Sequence, residues 1–196
     1  VLDDGRVFYI GGARYTEMST PDEHEYGLDY ARLFDPRTRT MSAYTAHRMP
    51  LGTSWYPTAA RLADGRVLIT GAYTDYGTDK CVGIKCLNPQ INIFDPDAAD
   101  AGLDPYSVLL DAEHGDHDLD PGIREYTRVY TLPKPVMAGG HERTVLAMGM
   151  AGNVVLISVD EENVPMAERL YKPPGGKRPR DDCGERSDQS TFVPLI

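Results

Sequence analysis

Two copies of one stretch, Asp4-Gly5-Arg6-Val7 and Asp64-Gly65-Arg66-Val67, stand 60 residues apart and decide the fold. A second pair of copies, Phe34-Asp35-Pro36 and Phe94-Asp95-Pro96, has the same 60-residue offset. An apolar segment follows each Asp-Gly pair, and another short apolar segment runs into each Phe-Asp-Pro. Because two motifs share one spacing, the chain carries an internal repeat, and a period of tens of residues indicates a repeat architecture.

Each repeat is predicted to be a small antiparallel sheet. Asp-Gly before an apolar run supplies the positive-φ residue of a tight hairpin turn. The strands that follow, 7–10 and 67–70, are almost wholly apolar, as strands covered on both faces are. A weaker third copy has Gly152-Asn153 as its turn, 154–157 as its inner strand and 169–171 as the next strand. With 15 Pro and 19 Gly, the chain favours short strands and turns over long helices.

Composition describes a globular chain and excludes some partners. The 196 residues are 41% hydrophobic and 26% charged, which is enough to bury a core. The net charge of -10 argues against a nucleic-acid partner, which would require clustered Lys and Arg. No apolar run approaches the ~20 residues of a membrane span. Motifs of hydrolases, nucleotide-binding loops and HExxH zinc enzymes are absent from the sequence, and His141 is interpreted as the start of a strand.

The repeats and the segment Ser54-Trp55-Tyr56-Pro57-Thr58 ahead of the second Asp-Gly turn resemble the galactose oxidase and glyoxal oxidase group of secreted copper radical oxidases. The likeness is good over about the first half of the chain. It implies an all-β fold of kelch-type β-propeller blades, each a four-stranded antiparallel sheet. It also implies a secreted, extracellular protein that oxidises primary alcohols or aldehydes with O2 and releases H2O2.

The predicted organisation is one propeller domain over 1–196, with approximate repeats at 1–60, 61–150 and 151–196 and an insert at 97–126. The chain starts inside a strand and stops where another turn is due, so we expect it to cover roughly a whole number of repeats. Propellers close with about 4–8 blades, so three leave an incomplete ring. The remaining blades, from the same parent chain or from other chains, are therefore expected partners.

The resemblance assigns the role of copper ligand to one residue of this chain, Tyr56. In the family, the corresponding tyrosine binds copper and carries a radical after a thioether bond forms to a cysteine. That cysteine is expected upstream of Val1, and the remaining Tyr and His ligands are expected beyond Ile196. Trp55 would help to shield the radical. The alternative is that Tyr56 packs at a blade edge without any catalytic role.

The cysteines predict a disulfide more readily than a metal site. Cys81 and Cys86 have a C-x4-C spacing that can close a small loop. A structural zinc ion would need further soft ligands nearby, and Cys183 alone does not supply them. Cys183 is left without a partner in the sequence, so we expect it to pair with a cysteine elsewhere, which fits an oxidising compartment.

A cluster of acidic residues and histidines lies in the predicted insert. Its alternating carboxylates resemble a calcium loop, but Pro121 stands where an EF-hand requires Gly and Thr127 where it requires Glu. A divalent site is conceivable because His-x-x-His can place two imidazoles on one side of a turn. A solvated acidic loop is the simpler alternative. The candidate ligands are His114, Asp116, His117, Asp118 and Asp120.

Two other functions remain open at the level of sequence. A non-catalytic kelch-like propeller could present its long loops, 14–29, 73–89 and 97–126, to an extracellular carbohydrate or protein ligand. A structural extracellular component could use the same loops for contacts between subunits.

Overall fold

The computed structural model describes residues 1–15, 25–43, 46–50, 56–73, 75–76, 87–110, 127–148, 154–159 and 167–171. Within these ranges the chain is all-β, with antiparallel strand pairs and one short helix. In chain order the elements are β1 (Val7–Ile10), β2 (Ala13–Tyr15), β3 (Glu25–Gly27), β4 (Tyr30–Asp35), β5 (Thr40–Met41), β6 (His47–Arg48), β7 (Thr58–Arg61), β8 (Val67–Tyr73), β9 (Asp75–Tyr76), β10 (Leu87–Phe94), α1 (Pro96–Asp100), β11 (Tyr106–Leu110), β12 (Arg128–Ala138), β13 (His141–Met148), β14 (Val154–Ile157) and β15 (Ala167–Tyr171).

The described strands form three four-stranded sheets and a smaller one. In the first sheet β4 pairs with β1 on one side and with both β5 and β6 on the other. The second sheet has the order β11-β10-β8-β7, and the third has the order β12-β13-β14-β15. A three-stranded sheet, β2-β3-β9, combines strands from two different repeats. The prediction of four-stranded antiparallel sheets is confirmed, whereas the kelch type and the number of blades stay predictions.

The 60-residue repeat is preserved in the pairing of strands. Val7 lies opposite Phe34, and 60 residues later Val67 lies opposite Phe94. The offset continues to the last pair of β1 and β4, Ile10 with Ala31, which corresponds to Thr70 with Ile91. Equivalent residues pair in the same register, and side chains alternate between the two faces of a sheet. The first two sheets therefore present equivalent residues on equivalent faces.

Both Asp-Gly turns adopt the predicted positive-φ geometry. Gly5 has φ 88° and Gly65 has φ 91°, a region where residues with a Cβ are strained. The amide of Leu2 donates to the carbonyl of Arg6 at 2.8 Å, and the amide of Leu62 donates to the carbonyl of Arg66 at 2.8 Å. Gly65 therefore permits the turn that joins β7 to β8, and Gly5 permits the equivalent turn that leads into β1.

The third sheet matches the weaker third copy. The predicted strand 154–157 is β14, and the predicted strand 169–171 lies in β15. His141 begins β13, as expected. The sequence did not reveal β12, whose hairpin with β13 turns at Gly139 and Gly140 with φ 61° and 85°.

The segment interpreted as an insert contributes to the second sheet over the part that the structure describes. β11 pairs with β10 and forms one edge of that sheet. Helix α1 connects the two strands, and its first turn is capped by the Asp95 side chain, which accepts from the amides of Asp97 and Ala98 at 2.9 and 3.2 Å. Pro96 stands at the start of the helix, where its missing amide hydrogen is not needed. The division of the chain into repeats stays a prediction.

The hydrophobic core lies between neighbouring sheets. One cluster joins the first sheet to the second and is made of Leu2, Leu33, Met49, Val67, Ile69 and Phe94. The other joins the second sheet to the third and is made of Leu62, Leu68, Ile91, Ile93, Val145, Ala147, Val155, Ile157 and Val159. The second sheet is therefore covered on both faces, as its nearly continuous apolar strands predicted. For β1 the same prediction is wrong, because Tyr9 is 52% exposed and no sheet among the described residues packs on its side.

Candidate functional site

Tyr56 lies on the surface, two residues before β7 begins. Its side chain is 50% exposed, and its backbone has φ 57°. Arg39 is the other non-glycine residue with positive φ among the residues described. A bulky side chain in the left-handed region is strained by about 1–3 kcal/mol, and such strain is frequent at functional sites. The structure therefore supplies an independent reason to single out this tyrosine.

The residues that follow Tyr56 fix the start of β7. Pro57 favours extended backbone for the residue before it, so Pro57 does not account for the positive φ of Tyr56. One residue later, the Thr58 hydroxyl donates to the carbonyl of Thr127 at 2.8 Å. This bond anchors the start of β7 to the segment that leads into β12. The phenol therefore lies just before the first residue of β7, where the second and third sheets meet.

The other residues predicted for a functional site lie outside the described residues. They are Trp55, Cys81, Cys86, His114, Asp116, His117, Asp118, Asp120 and Cys183. The disulfide, the calcium or other divalent site and the shielding role of Trp55 therefore stay predictions.

A copper ion does not fit the donors that the described residues supply by themselves. Across these ranges no three His, Cys, Asp or Glu side chains come together as a metal-binding group. Copper sites in proteins use imidazole nitrogens and sulfur or oxygen donors in combination. Tyr56 contributes a single phenol oxygen, so further ligands would have to join it.

A polar groove between the first sheet and helix α1 was not predicted from the sequence. Its volume is about 420 Å³, and its lining includes Arg6, Asp35, His47 and Asp100. Arg6 donates to both carboxylate oxygens of Asp100 at 2.7 Å and also to Asp4. Hydrogen bonding to Asp100 raises the pKa of Arg6. The signal in the sequence was the repeated Arg of the Asp-Gly-Arg-Val motif, which was interpreted only as part of a turn.

His47 is the titratable residue on the apolar side of this groove. Its ring meets the edge of Phe94 at a centroid distance of 5.7 Å, and its backbone carbonyl accepts from the Tyr106 hydroxyl at 3.1 Å. The buried Nδ1 has no hydrogen-bond partner among the described atoms. Burial, and then the positive charge of Arg6, lower the pKa of His47. The imidazole is therefore neutral near pH 7.

Two of the long loops are tied together by the small sheet. β3 belongs to the loop of the first repeat and pairs with β9 of the second repeat, with Glu25 opposite Tyr76 and Tyr26 opposite Asp75. β2 completes this sheet on the other side of β3. Strand pairing therefore joins residues 14–15 and 25–27 of the first loop and 75–76 of the second loop in one sheet.

No family model matches the chain, and no curated protein matches it at significant similarity. Helix α1 is too short to cross a membrane, and no other helix occurs among the residues described. Tyr56, the groove and the small sheet are the features on which a functional proposal can rest.

Proposed function

We propose that the chain is part of a secreted β-propeller of the copper radical oxidase type, in which Tyr56 is the redox-active residue. The intact protein would oxidise primary alcohols or aldehydes with O2 and form H2O2. The observation that carries the proposal is the exposed phenol of Tyr56 on a backbone with φ 57°. Strain of this kind is maintained only where surrounding structure enforces it, and it costs stability that function can explain.

The stacking of the sheets supports the propeller part of the proposal. Propeller blades are four-stranded antiparallel sheets packed face to face by repetition. The second sheet has this form and is covered on one face by the first sheet and on the other by the third. The shared 60-residue register of β1–β4 and β8–β10 is the repetition that a propeller requires.

Tyr56 would offer its phenol oxygen as one ligand of a copper ion, and the copper would supply the redox chemistry when bound. The hydrogen bond from the Thr58 hydroxyl to the carbonyl of Thr127 fixes the start of β7, two residues after the phenol. The additional ligands belong to the remaining blades, which are the expected partners of this chain.

The test is peptide mass spectrometry of the native protein, with copper measured in the same sample. We expect about one copper per propeller and a peptide of Tyr56 that is two hydrogens lighter and bonded to a cysteine peptide. Tyr56→Phe should abolish the bond and the oxidation of alcohols, whereas Tyr9→Phe, at a residue of similar exposure (52%), should preserve both. An unmodified Tyr56 in a protein without copper would rule out the oxidase.

A second function is favoured by the small sheet. Because β3 and β9 join two loops in one sheet, a non-catalytic propeller could use these loops to bind an extracellular carbohydrate or protein. Replacing Asp75-Tyr76 by Gly-Gly would weaken the pairing of β9 with β3. A binding module should then lose affinity in titrations with glycans, whereas the copper content and oxidase activity of an oxidase should not change.

A further inference from the structure

β7, the strand that follows Tyr56, contributes no side chain to the two hydrophobic clusters of the described residues. It has four residues, lies at one edge of the second sheet and pairs there with β8. Its small side chains alternate between partly buried and exposed positions. A strand with so little apolar packing is weakly held, so its position depends on what borders its other edge.

Two threonine hydroxyls tie β7 to the strand β12 of the third sheet and to the residue before it. The Thr58 hydroxyl donates to the carbonyl of Thr127 at 2.8 Å, and the Thr131 hydroxyl donates to the carbonyl of Arg61. The two bonds are reciprocal, because each side supplies one hydroxyl and one carbonyl. They lie at the first and the last residue of β7. β7 is therefore fastened to the third sheet at both ends.

The bond at the Tyr56 end is the better protected of the two. Thr58 stands opposite Thr70, which is 2% exposed, and the acceptor residue Thr127 is 1% exposed. Water therefore competes little for this bond, and a hydrogen bond is electrostatically stronger in such surroundings than in water. The bond between Thr131 and Arg61 is exposed to solvent.

The path from the protected bond to the phenol is short and stiff. Pro57 alone separates Tyr56 from Thr58, and a proline ring fixes its own φ at about −65°. Extended backbone advances ~3.3 Å per residue, so Tyr56 lies within ~7 Å of Thr58 along the chain, whereas Arg61 lies ~10 Å away in the other direction. A displacement of Thr58 is therefore passed on to Tyr56, and a displacement of Arg61 is not.

We propose that Thr58 is a positioning residue for Tyr56, acting through its bond to the Thr127 carbonyl. The third sheet, in addition to the ladder of the second sheet, then sets where the phenol lies relative to the ligands of the remaining blades. The consequence for catalysis rests on the proposed function, because a reacting group must be held in place to act. The positioning itself rests on the contacts of the described residues.

Fluorine NMR measures the positioning without copper and without substrate. All 12 tyrosines of the chain are replaced by 3-fluorotyrosine, and the resonance of Tyr56 is identified by its loss in Tyr56→Phe. Thr58→Val removes the hydroxyl and should shift or broaden this resonance, whereas Thr58→Ser keeps the hydroxyl and should preserve it. Thr131→Val is the matched control, because it breaks the reciprocal bond at the far end of β7. This control should leave the Tyr56 resonance unchanged.

Kinetics of the intact protein give the second readout. Thr58→Val should lower kcat for alcohol oxidation by ~10²-fold with KM unchanged, because substrate still binds while the phenol is misplaced. Thr58→Ser should restore most of kcat, and Thr131→Val should keep it. A purely structural role of Thr58 would not separate kcat from KM in this way.

Circular dichroism would establish that each variant is folded, and Thr58→Ala replaces Thr58→Val if that variant is not. The proposal is wrong if loss of the Thr58 hydroxyl leaves the Tyr56 resonance unchanged, or if Thr131→Val shifts it as much. It is also wrong if kcat falls equally in Thr58→Val and Thr58→Ser. Absence of copper or of oxidation in the unmodified protein would instead refute the proposed function, because the fluorine resonance depends on neither.

Discussion

Arg6 donates to both carboxylate oxygens of Asp100, at 2.7 Å each, although 94 residues separate them in the sequence. The pair joins the turn before β1 to the end of helix α1. It therefore connects the first repeat to the segment between β10 and β11, on the side where the polar groove lies. Bidentate pairing of this kind adds geometric specificity to an ion pair.

Asp100→Asn should weaken this connection without changing the packing of the hydrophobic core. The Asp100 side chain is half exposed, so the expected loss is roughly 0.5–1 kcal/mol in the free energy of unfolding. Urea denaturation at low salt would measure it, and the difference should shrink at high salt because exposed charges are screened. Glu142→Gln removes an exposed negative charge elsewhere and should leave stability nearly unchanged. An equal loss in both variants would mean that the pair of Arg6 and Asp100 is not responsible.

Phe94→Ala should be strongly destabilising. The Phe94 ring stacks on Phe8 at a centroid distance of 4.4 Å and contacts Tyr106 at 5.4 Å, and its side chain is fully buried. Truncation of such a residue costs about 3–5 kcal/mol. Phe34 occupies the equivalent position in the first repeat but is half-buried, so Phe34→Ala should cost less than half as much in dilute solution. Equal losses in chemical denaturation would show that the face of the first sheet that carries Phe34 is covered too.

His47 should make stability depend on pH. Its pKa in the folded chain is lowered by burial and by Arg6, while Asp100 acts in the opposite direction and Asp35 lines the same groove. The unfolded chain therefore takes up a proton first as the pH falls, so stability is present above the unfolded pKa of about 6.5 and decreases below it. His47→Gln should flatten the change in unfolding free energy between about pH 7.5 and 5. A parallel decrease in the variant would assign the pH dependence to other groups.

Tyr56→Asn should be tolerated or slightly stabilising. Asn adopts the left-handed region more readily than an aromatic residue, so the substitution relieves strain at φ 57°. Tyr9 has a similar exposure but lies within β1, where replacing an aromatic residue by Asn costs up to about 1 kcal/mol of strand preference. Thermal unfolding of Tyr56→Asn and Tyr9→Asn at low concentration would compare them. A larger loss at position 56 would mean that contacts of Tyr56 outweigh its strain.

Much of the fold could be predicted because its signals are local. The Asp-Gly pairs required glycine at positive φ, and Gly5 and Gly65 adopt it. The apolar runs predicted β1 and β14 at their observed bounds. β12 was missed because it lies outside the repeat motifs. β11 was missed because it follows helix α1, and the first repeat has no helix at the equivalent position.

The candidate site was less predictable. Tyr56 was selected from its neighbours in the sequence, but its exposure and its positive φ appear only in the structure. The groove around Arg6 and His47 escaped prediction because its residues come from three separate segments. No pattern along the chain brings Asp100 next to Arg6.

The sequence by itself determined the strands, the turns and the 60-residue register, since these depend on hydrogen bonding and side-chain alternation among near neighbours. Only the tertiary structure decided which face of each sheet is covered. Val7, Tyr9 and Phe34 are close counterparts of Val67, Ile69 and Phe94 in the sequence, yet one set is exposed or half-buried and the other is buried. The physical reason is that burial depends on what packs against a face, and that partner is distant along the chain.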